Sequence, residues 1–326
     1  MFVRILELTL NLSTDYKRFP LNICANILTV ILDDEKLYSS TIMDEGKTTQ
    51  INYLITNNLP TIYDLLKNPD TVEDALSFLS LILERNSAFI KYYRSNKIID
   101  YIFSLMKEEN YYSNLNLIKI IIKLIESNDT NFNDIIELGL IDKVNYMISK
   151  DPMEDITIYT EYVIEMFYDL LFKINEEKKK IHSKDEYFKN FVPKIGAVAL
   201  NFKLCIKLIG CYNTNIQEKV CICMIFILRF FPTGYVEDVK VNVAFYAEDI
   251  PNLLKGLDMN CKIIHKKMIN IFKWIIEYQN NAKEILKNYV SFLQSYIEVI
   301  RDSSDNKEIS EMASQFLNNE LTKIKN

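Results

Sequence analysis

The segment EGKTT, at Glu45 to Thr49, has the ingredients of a phosphate cradle: a glycine whose amide can approach a phosphate, then a lysine and two hydroxyls. Such a loop needs a further glycine five residues before Gly46. Thr41 stands there, so the segment reads as a polar loop. Metal binding has one seed in Cys261 and His265, which at i and i+4 would share a helix face. Cys221 and Cys223, at i and i+2 of a helix, point apart, and no paired C-x-x-C spacing is present. The carboxylate doublets Asp33-Asp34 and Glu176-Glu177 sit in polar connections and read as solvated charge. His182 lies in a Lys-rich run and His265 lies beside Lys266 and Lys267, which gives no Ser-His-Asp or Cys-His arrangement. The Gly-rich loop and the HRD and DFG phrases of a kinase are missing as well. No catalytic residue, metal or cofactor is expected. The expected activity is binding.

The elements that would carry a binding surface are helices. Hydrophobic residues make up 49% of the 326 residues, whereas 6 Gly and 7 Pro are too few for the many tight reversals of a sheet-rich fold. A net charge of −6 and a pI near 5.3 exclude a general attraction to nucleic acid. The N-terminal MFVRILELTLNLSTDY carries Arg4 and Glu7 inside its apolar stretch and reads as an amphipathic helix rather than a signal peptide. The longest apolar run, Val220 to Leu228, is far short of the ~20 residues of a membrane span and reads as a buried helix. Cys24, Cys205, Cys211, Cys221, Cys223 and Cys261 are then expected as reduced thiols in a cytoplasmic chain, where the sequons at Asn11 and Asn128 have no role.

A repeat organises these helices. Setting the segment from Ala75 over the segment from Asn116, about 42 residues on, matches Leu76 with Ile118, Leu79 with Ile121, Leu83 with Ile125, Ile99 with Ile141, Ile102 with Val144 and Leu105 with Met147. Ile118, Ile121, Ile122 and Ile125 fall at i, i+3, i+4 and i+7, one apolar stripe on one helix. Leu59, Ile62 and Leu65 join the register about 40 residues earlier, and DIPNLLKGL precedes YVSFLQSYI by the same interval. Each unit reads as a helix, a polar break, a turn of helix, a second break and a longer helix. Asn, Ser and Asp of the breaks RNS and SNDT cap the next helix, and Gly139 suits a left-handed helix end. The reading is one domain over 1–326, clearest over 59–150, with loop insertions near 33–50, 175–187 and 232–248. The last is the most strand-like segment of the chain.

Repeats of this length and build resemble armadillo and HEAT arrays, which implies an all-α, right-handed α-solenoid of roughly seven units. In armadillo-type arrays the last helix of each unit lines a concave groove. With NKIIDYIFSLM, NNLPTIYDLL and LGLIDKVNYMI taken as last helices, the groove positions are Thr61, Tyr63 and Asp64; Asp100, Tyr101 and Ser104; Lys143, Asn145 and Tyr146; and Asn252 and Lys255. Tyrosines there would offer contact area and a hydroxyl to a peptide. The import-adaptor branch uses a ladder of Trp and Asn, but Trp274 is the one Trp here and its i+4 neighbour is Tyr278.

The phrase from Ala75 to Met106, through Ala75, Leu79, Glu84, Asn86, Phe89, Ile90 and Ile99, also resembles the helical repeats that follow the kinase domain of Fused-type and Unc-51-like-4/Runkel-type kinases. That resemblance implies a scaffold at microtubules, cilia or the cytokinesis machinery. The expected role is a non-catalytic scaffold for a protein or peptide partner, with no nucleic acid and no membrane span. A transport receptor or chaperone-type regulator, and a helical-repeat part of a kinase-like protein, are the alternatives.

Overall fold

Where apolar residues recur at helical spacing, the chain is helical. The computed structural model describes residues 64–85, 98–105, 115–128, 130–150, 156–211, 213–231, 243, 246–258, 262–278 and 281–325. They fall in two compact units, Met1–Thr130 and Asn131–Asn326. The N-terminal amphipathic segment, EGKTT, Asp33-Asp34, Cys24, Cys261, Thr61, Tyr63 and most of 232–248 lie outside the described residues. No strand occurs among the described residues.

In the first unit, helices α1 (Val72–Arg85), α2 (Ile98–Leu105) and α3 (Leu115–Glu126) are described. α3 packs on α1. The pairs matched in sequence are buried alike: Leu76 and Ile118, Leu79 and Ile121, and Leu83 and Ile125 are each at most 2% exposed. Burying such a side chain is worth about 1.5–3 kcal/mol, so this seam holds the two helices together. The Thr71 hydroxyl donates to the Leu65 carbonyl at 2.7 Å and closes the turn that enters α1.

The second unit begins with α4 (Phe132–Glu137) and α5 (Leu140–Lys150). The break before α4 supplies its cap from Asn131, just beyond SNDT: Asn131 Oδ1 accepts from the Asp134 amide at 3.1 Å while Asp134 Oδ2 accepts from the Asn131 amide at 2.8 Å. Each donor would otherwise go unsatisfied at a helix start. Gly139, between the two helices, has φ +59°, the left-handed conformation expected of it, and a side chain there would be strained. After α6 (Ile158–Lys178) come short turns, among them the π-helical Tyr187–Phe191 and the 3₁₀ Gly196–Asn201, and then α7 (Phe202–Leu208) and α8 (Thr214–Phe230). α9 (Ile250–Asp258), α10 (Lys262–Tyr278), α11 (Ala282–Lys287), α12 (Val290–Ser303) and α13 (Lys307–Gln315) follow, and the helical run continues through Phe316–Glu320 to Leu321–Lys325.

Helix length and packing give the frame of the repeat. The long helical runs pack in series, α6 on α8, α8 on α10 and α10 on the run from Lys307 to Lys325 that α13 opens, while the shorter α7, α9 and α12 form a second row, α7 on α9 and α9 on α12. A unit therefore runs short helix, middle helix, long helix, as in α4, α5 and α6. This corrects the frame read from the sequence: NKIIDYIFSLM and LGLIDKVNYMI supply the middle helices α2 and α5, and the long helices close the units. The run near 175–187, expected as a loop or a frayed helix end, includes the end of α6, a turn at 179–180 and an irregular stretch at 181–183. Asn175 to Lys178 complete α6, and Glu176 and Glu177 pair at i, i+3 with Lys179 and Lys180 at 2.6 and 2.7 Å. Of the insertion near 232–248, the described end is a 3₁₀ turn at Ala247–Asp249.

The run Val220–Leu228 forms the buried heart of α8. Gly256 lets α9 approach α10 and the α7–α8 turn, because a β-carbon there would lie 2.9 Å from Ile209 Cγ1 and 3.0 Å from Met268 Cε. Cys205, Cys221 and Cys223 are buried thiols outside any disulfide, and Cys221 Sγ lies 3.8 Å from Met268 Sδ. Burial pushes Cys205 up to about 12 and Cys223 also upward, helped by the neighbouring Cys205 and Cys221, which makes both poor nucleophiles at neutral pH.

The C-terminal end of α8 is closed by side chains from two other elements. Lys178 Nζ donates to the Arg229 carbonyl, and the Tyr187 hydroxyl donates to the Phe230 carbonyl at 2.6 Å. The ammonium lies 5.1 Å from the Tyr187 ring centre and 5.6 Å from that of Phe230. Burial, then the Arg229 charge, pulls Lys178 down to about 8 from an ordinary 10.5. Between those two pH values the unfolded chain holds a proton that the folded chain has released, so this group makes stability rise with pH through the window. Urea midpoints at pH 7.5, 9 and 10 should rise more steeply in wild type than in Lys178→Met. Equal slopes would remove Lys178 from the account.

Candidate functional site

The surface with the most developed chemistry is the row of long helices in the second unit. On α6, Ile158, Glu161, Glu165, Tyr168 and Phe172 recur at steps of three and four and so form one stripe. Its ends are apolar and exposed, Ile158 by 60% and Phe172 by 45%. Tyr168 and Phe172 lie with ring centres 6.4 Å apart. Burial, and then the Asp169 charge, holds the Tyr168 phenol above its usual range, so it stays a neutral hydroxyl at physiological pH.

Charged side chains bridge each long helix to the next. Glu165 on α6 pairs with Lys219 on α8. Glu218 on α8 pairs with Lys267 on α10 at 2.8 Å, and Lys266 on α10 with Glu308 on α13 at 2.5 Å. Neighbouring residues, 218 with 219 and 266 with 267, thus turn to opposite sides of their helix. The pairs range from half-buried to exposed and stay open to solvent, where such a pair is worth about 0–1 kcal/mol, so their effect is on alignment more than on stability.

Two clefts open between long helices. The first, of about 280 Å³, lies between α6 and α8 and is lined by Ile158, Glu161, Tyr162, Glu165, Asn215, Ile216 and Lys219. The Asn213 side-chain amide donates to Glu161 Oε1 and fixes that carboxylate at the cleft wall. The second, of about 60 Å³, lies between α10 and the α13 run, where Asn270, Lys273, Gln315 and Asn319 are among the lining residues. Both are too open and too shallow in apolar cover to resemble a small-molecule site, and they suit an extended chain lying across them. No group of three or more His, Cys, Asp or Glu that could hold a metal occurs among the described residues. His182 is exposed, and His265 is half-buried on α10 with its expected partner Cys261 outside the described residues.

Neither a family model nor a curated protein matches the chain. Solved structures do. A computationally designed armadillo repeat protein for modular peptide recognition superposes with a TM-score of 0.52 at 16% identity, covering 80% of this chain and 98% of that one. A designed armadillo repeat protein in complex with the peptide (KR)4 gives the same figures, 0.52, 16%, 80% and 98%. An engineered protein from a structural genomics consortium matches with a TM-score of 0.51 at 14% identity over 81% of this chain and 95% of its own. The fold is armadillo-type.

Of the positions singled out from the sequence, Thr61 and Tyr63 lie outside the described residues; Asp64, Asp100, Tyr101 and Ser104 belong to the first unit, and Lys143, Asn145, Tyr146, Asn252 and Lys255 to the second. Asp64 is exposed and pairs with Lys67 at 3.1 Å. Asp100, Tyr101 and Ser104 are on α2, where the Ser104 hydroxyl donates back to the Tyr101 carbonyl at 2.7 Å. On α5, Lys143 Nζ donates to the Leu138 carbonyl, and Tyr146 is half-buried with Lys150 Nζ 5.2 Å from its ring centre. Asn145 is committed within the fold: its Nδ2 donates to the Ala197 carbonyl at 3.0 Å, and its Oδ1 accepts from Asn201 Nδ2, which anchors the 3₁₀ turn to α5. Asn252 Oδ1 accepts from Lys255 Nζ at 3.3 Å on α9.

The long-helix residues were missed in sequence because a repeat has no marked start. A period of about 42 residues is satisfied equally by any frame, and only helix length, set by where the breaks fall, tells which helix closes the unit. The adjacent Glu218-Lys219 and Lys266-Lys267 pairs were the available signal.

Proposed function

We propose that the chain is a non-catalytic scaffold that binds an extended protein segment across the long-helix row, α6, α8, α10 and α13. The observation that carries this reading is the pair of open clefts between successive long helices, with the exposed Ile158 lining one of them and Phe172 exposed farther along the same helix. Peptide recognition by designed armadillo neighbours supports it. The whole chain acts as one domain in this reading. A cytoplasmic adaptor on cytoskeletal or kinase-containing assemblies is the role we favour, on the resemblance carried by residues 75–106. Asp64, Asp100, Tyr101 and Ser104 of the first unit, and Lys143, Tyr146, Asn252 and Lys255 of the second, are then secondary, weaker contact positions within their own units.

A photo-crosslinking residue in place of Tyr162, and in a second variant in place of Tyr101, tests the assignment in the native cell. Discrete protein adducts from position 162, and few or none from 101, are expected. Adducts from 101 alone would move the binding surface to the middle row. Adducts from neither would remove the scaffold reading.

A further inference from the structure

The charges of the two clefts differ in sign, and this says what kind of segment would lie across them. In the α6–α8 cleft Glu165 is neutralised by Lys219, whereas Glu161 accepts from the neutral amide of Asn213 and has no ion-pair partner among the described residues. One negative charge is left over. In the cleft of α10 and the α13 run, Glu320 is neutralised by Lys323 at 2.8 Å, whereas Lys273 has no ion-pair partner among the described residues. One positive charge is left over there, beside the amides of Asn270, Gln315 and Asn319, which can donate to a carboxylate or to a peptide backbone. Between the clefts lie the Glu218–Lys267 and Lys266–Glu308 bridges, in which each charge meets its opposite.

We infer that the partner segment is bipolar: it carries a basic side chain for Glu161 and, farther along, an acidic side chain for Lys273, with uncharged residues over the bridged centre. This rests on the proposed long-helix binding surface and narrows it. An all-basic peptide would satisfy the first cleft and meet Lys273 as a like charge. An all-acidic one would meet Glu161 in the same way. Rim charges of this kind act chiefly by excluding wrong partners and fixing direction, and contribute modestly to affinity.

Selection of a random 12-residue peptide library on phage against the full chain tests the inference. Wild type should enrich clones with one basic and one acidic residue in a fixed order. Lys273→Gln should relax the acidic requirement alone, and Glu161→Gln the basic requirement alone. A synthetic peptide of the enriched pattern should lose about 2- to 5-fold in affinity on either substitution, as read by fluorescence anisotropy. Enriched clones of a single sign would overturn the bipolar inference and leave the peptide-binding surface standing. Absence of enrichment over a bare surface would overturn both.

Discussion

Replacing Phe272 by alanine is expected to cost about 3–5 kcal/mol of unfolding free energy. Phe272 is fully buried in α10, the long helix that packs against α8 on one side and the α13 run on the other. Removing the ring forfeits its transfer free energy and leaves a hole that these helices can fill only by moving. Loss on this scale is a large share of the ~5–15 kcal/mol that holds a typical domain. Urea denaturation followed by circular dichroism should show a clear fall in the midpoint. A loss under about 1 kcal/mol would mean that the seam around α10 is not the core of this unit.

A comparable effect is expected from a change that adds no volume, Gln217→Glu. Gln217 is fully buried, and its Nε2 donates to the carbonyls of Ile209 at 3.1 Å and of Cys211, binding the turn after α7 to the first turns of α8. A glutamate would face both carbonyl oxygens with an oxygen of its own. The ionised form is repelled there, and the protonated form can serve one of the two acceptors. The cost at neutral pH should reach about 3–5 kcal/mol.

Its pH dependence has a definite sign. The folded-state carboxyl would titrate above the ordinary ~4.3, so the unfolded chain gives up its proton first as pH rises. The deficit relative to wild type should therefore grow from pH 4.5 to pH 7.5. Gln217→Met, which loses the two hydrogen bonds without adding an acid, should show a pH-independent deficit of about 2–3 kcal/mol. Identical pH behaviour of the two variants would exclude a buried carboxylate as the cause.

The fold was legible because its signals are local. Ile118, Ile121, Ile122 and Ile125 mark a face by spacing alone, and every one of them is buried. Gly139 is placed by the single backbone conformation that few other residues tolerate. The binding surface was less legible, and Asn145 shows why. In sequence it is a polar residue between core positions, indistinguishable from a solvent-facing one. Its role comes from Ala197 and Asn201, more than fifty residues away, and no periodicity within α5 reports a contact at that separation. The charged run from Asn175 was legible only in part. Polar composition suggested a loop or a frayed helix end, and the i, i+3 pairs of Glu176 and Glu177 with Lys179 and Lys180 keep the α6 terminus helical to Lys178 with its charges in water.

The bridges between long helices also limit how the array can be rearranged. From α6 to α8 and from α8 to α10 the acid is on the earlier helix and the base on the later one, whereas from α10 to α13 the order reverses. A duplicated α10 placed after itself would set lysine against lysine, and exchanging α8 with α10 would leave like charges facing at two of the three new seams, Lys266 against Lys219 and Glu218 against Glu308. The units are therefore not interchangeable cassettes. Each long helix carries an address for its neighbours, and shuffling or inserting units should demand charge reversal at positions 218, 219, 266 and 267 before the stack reforms.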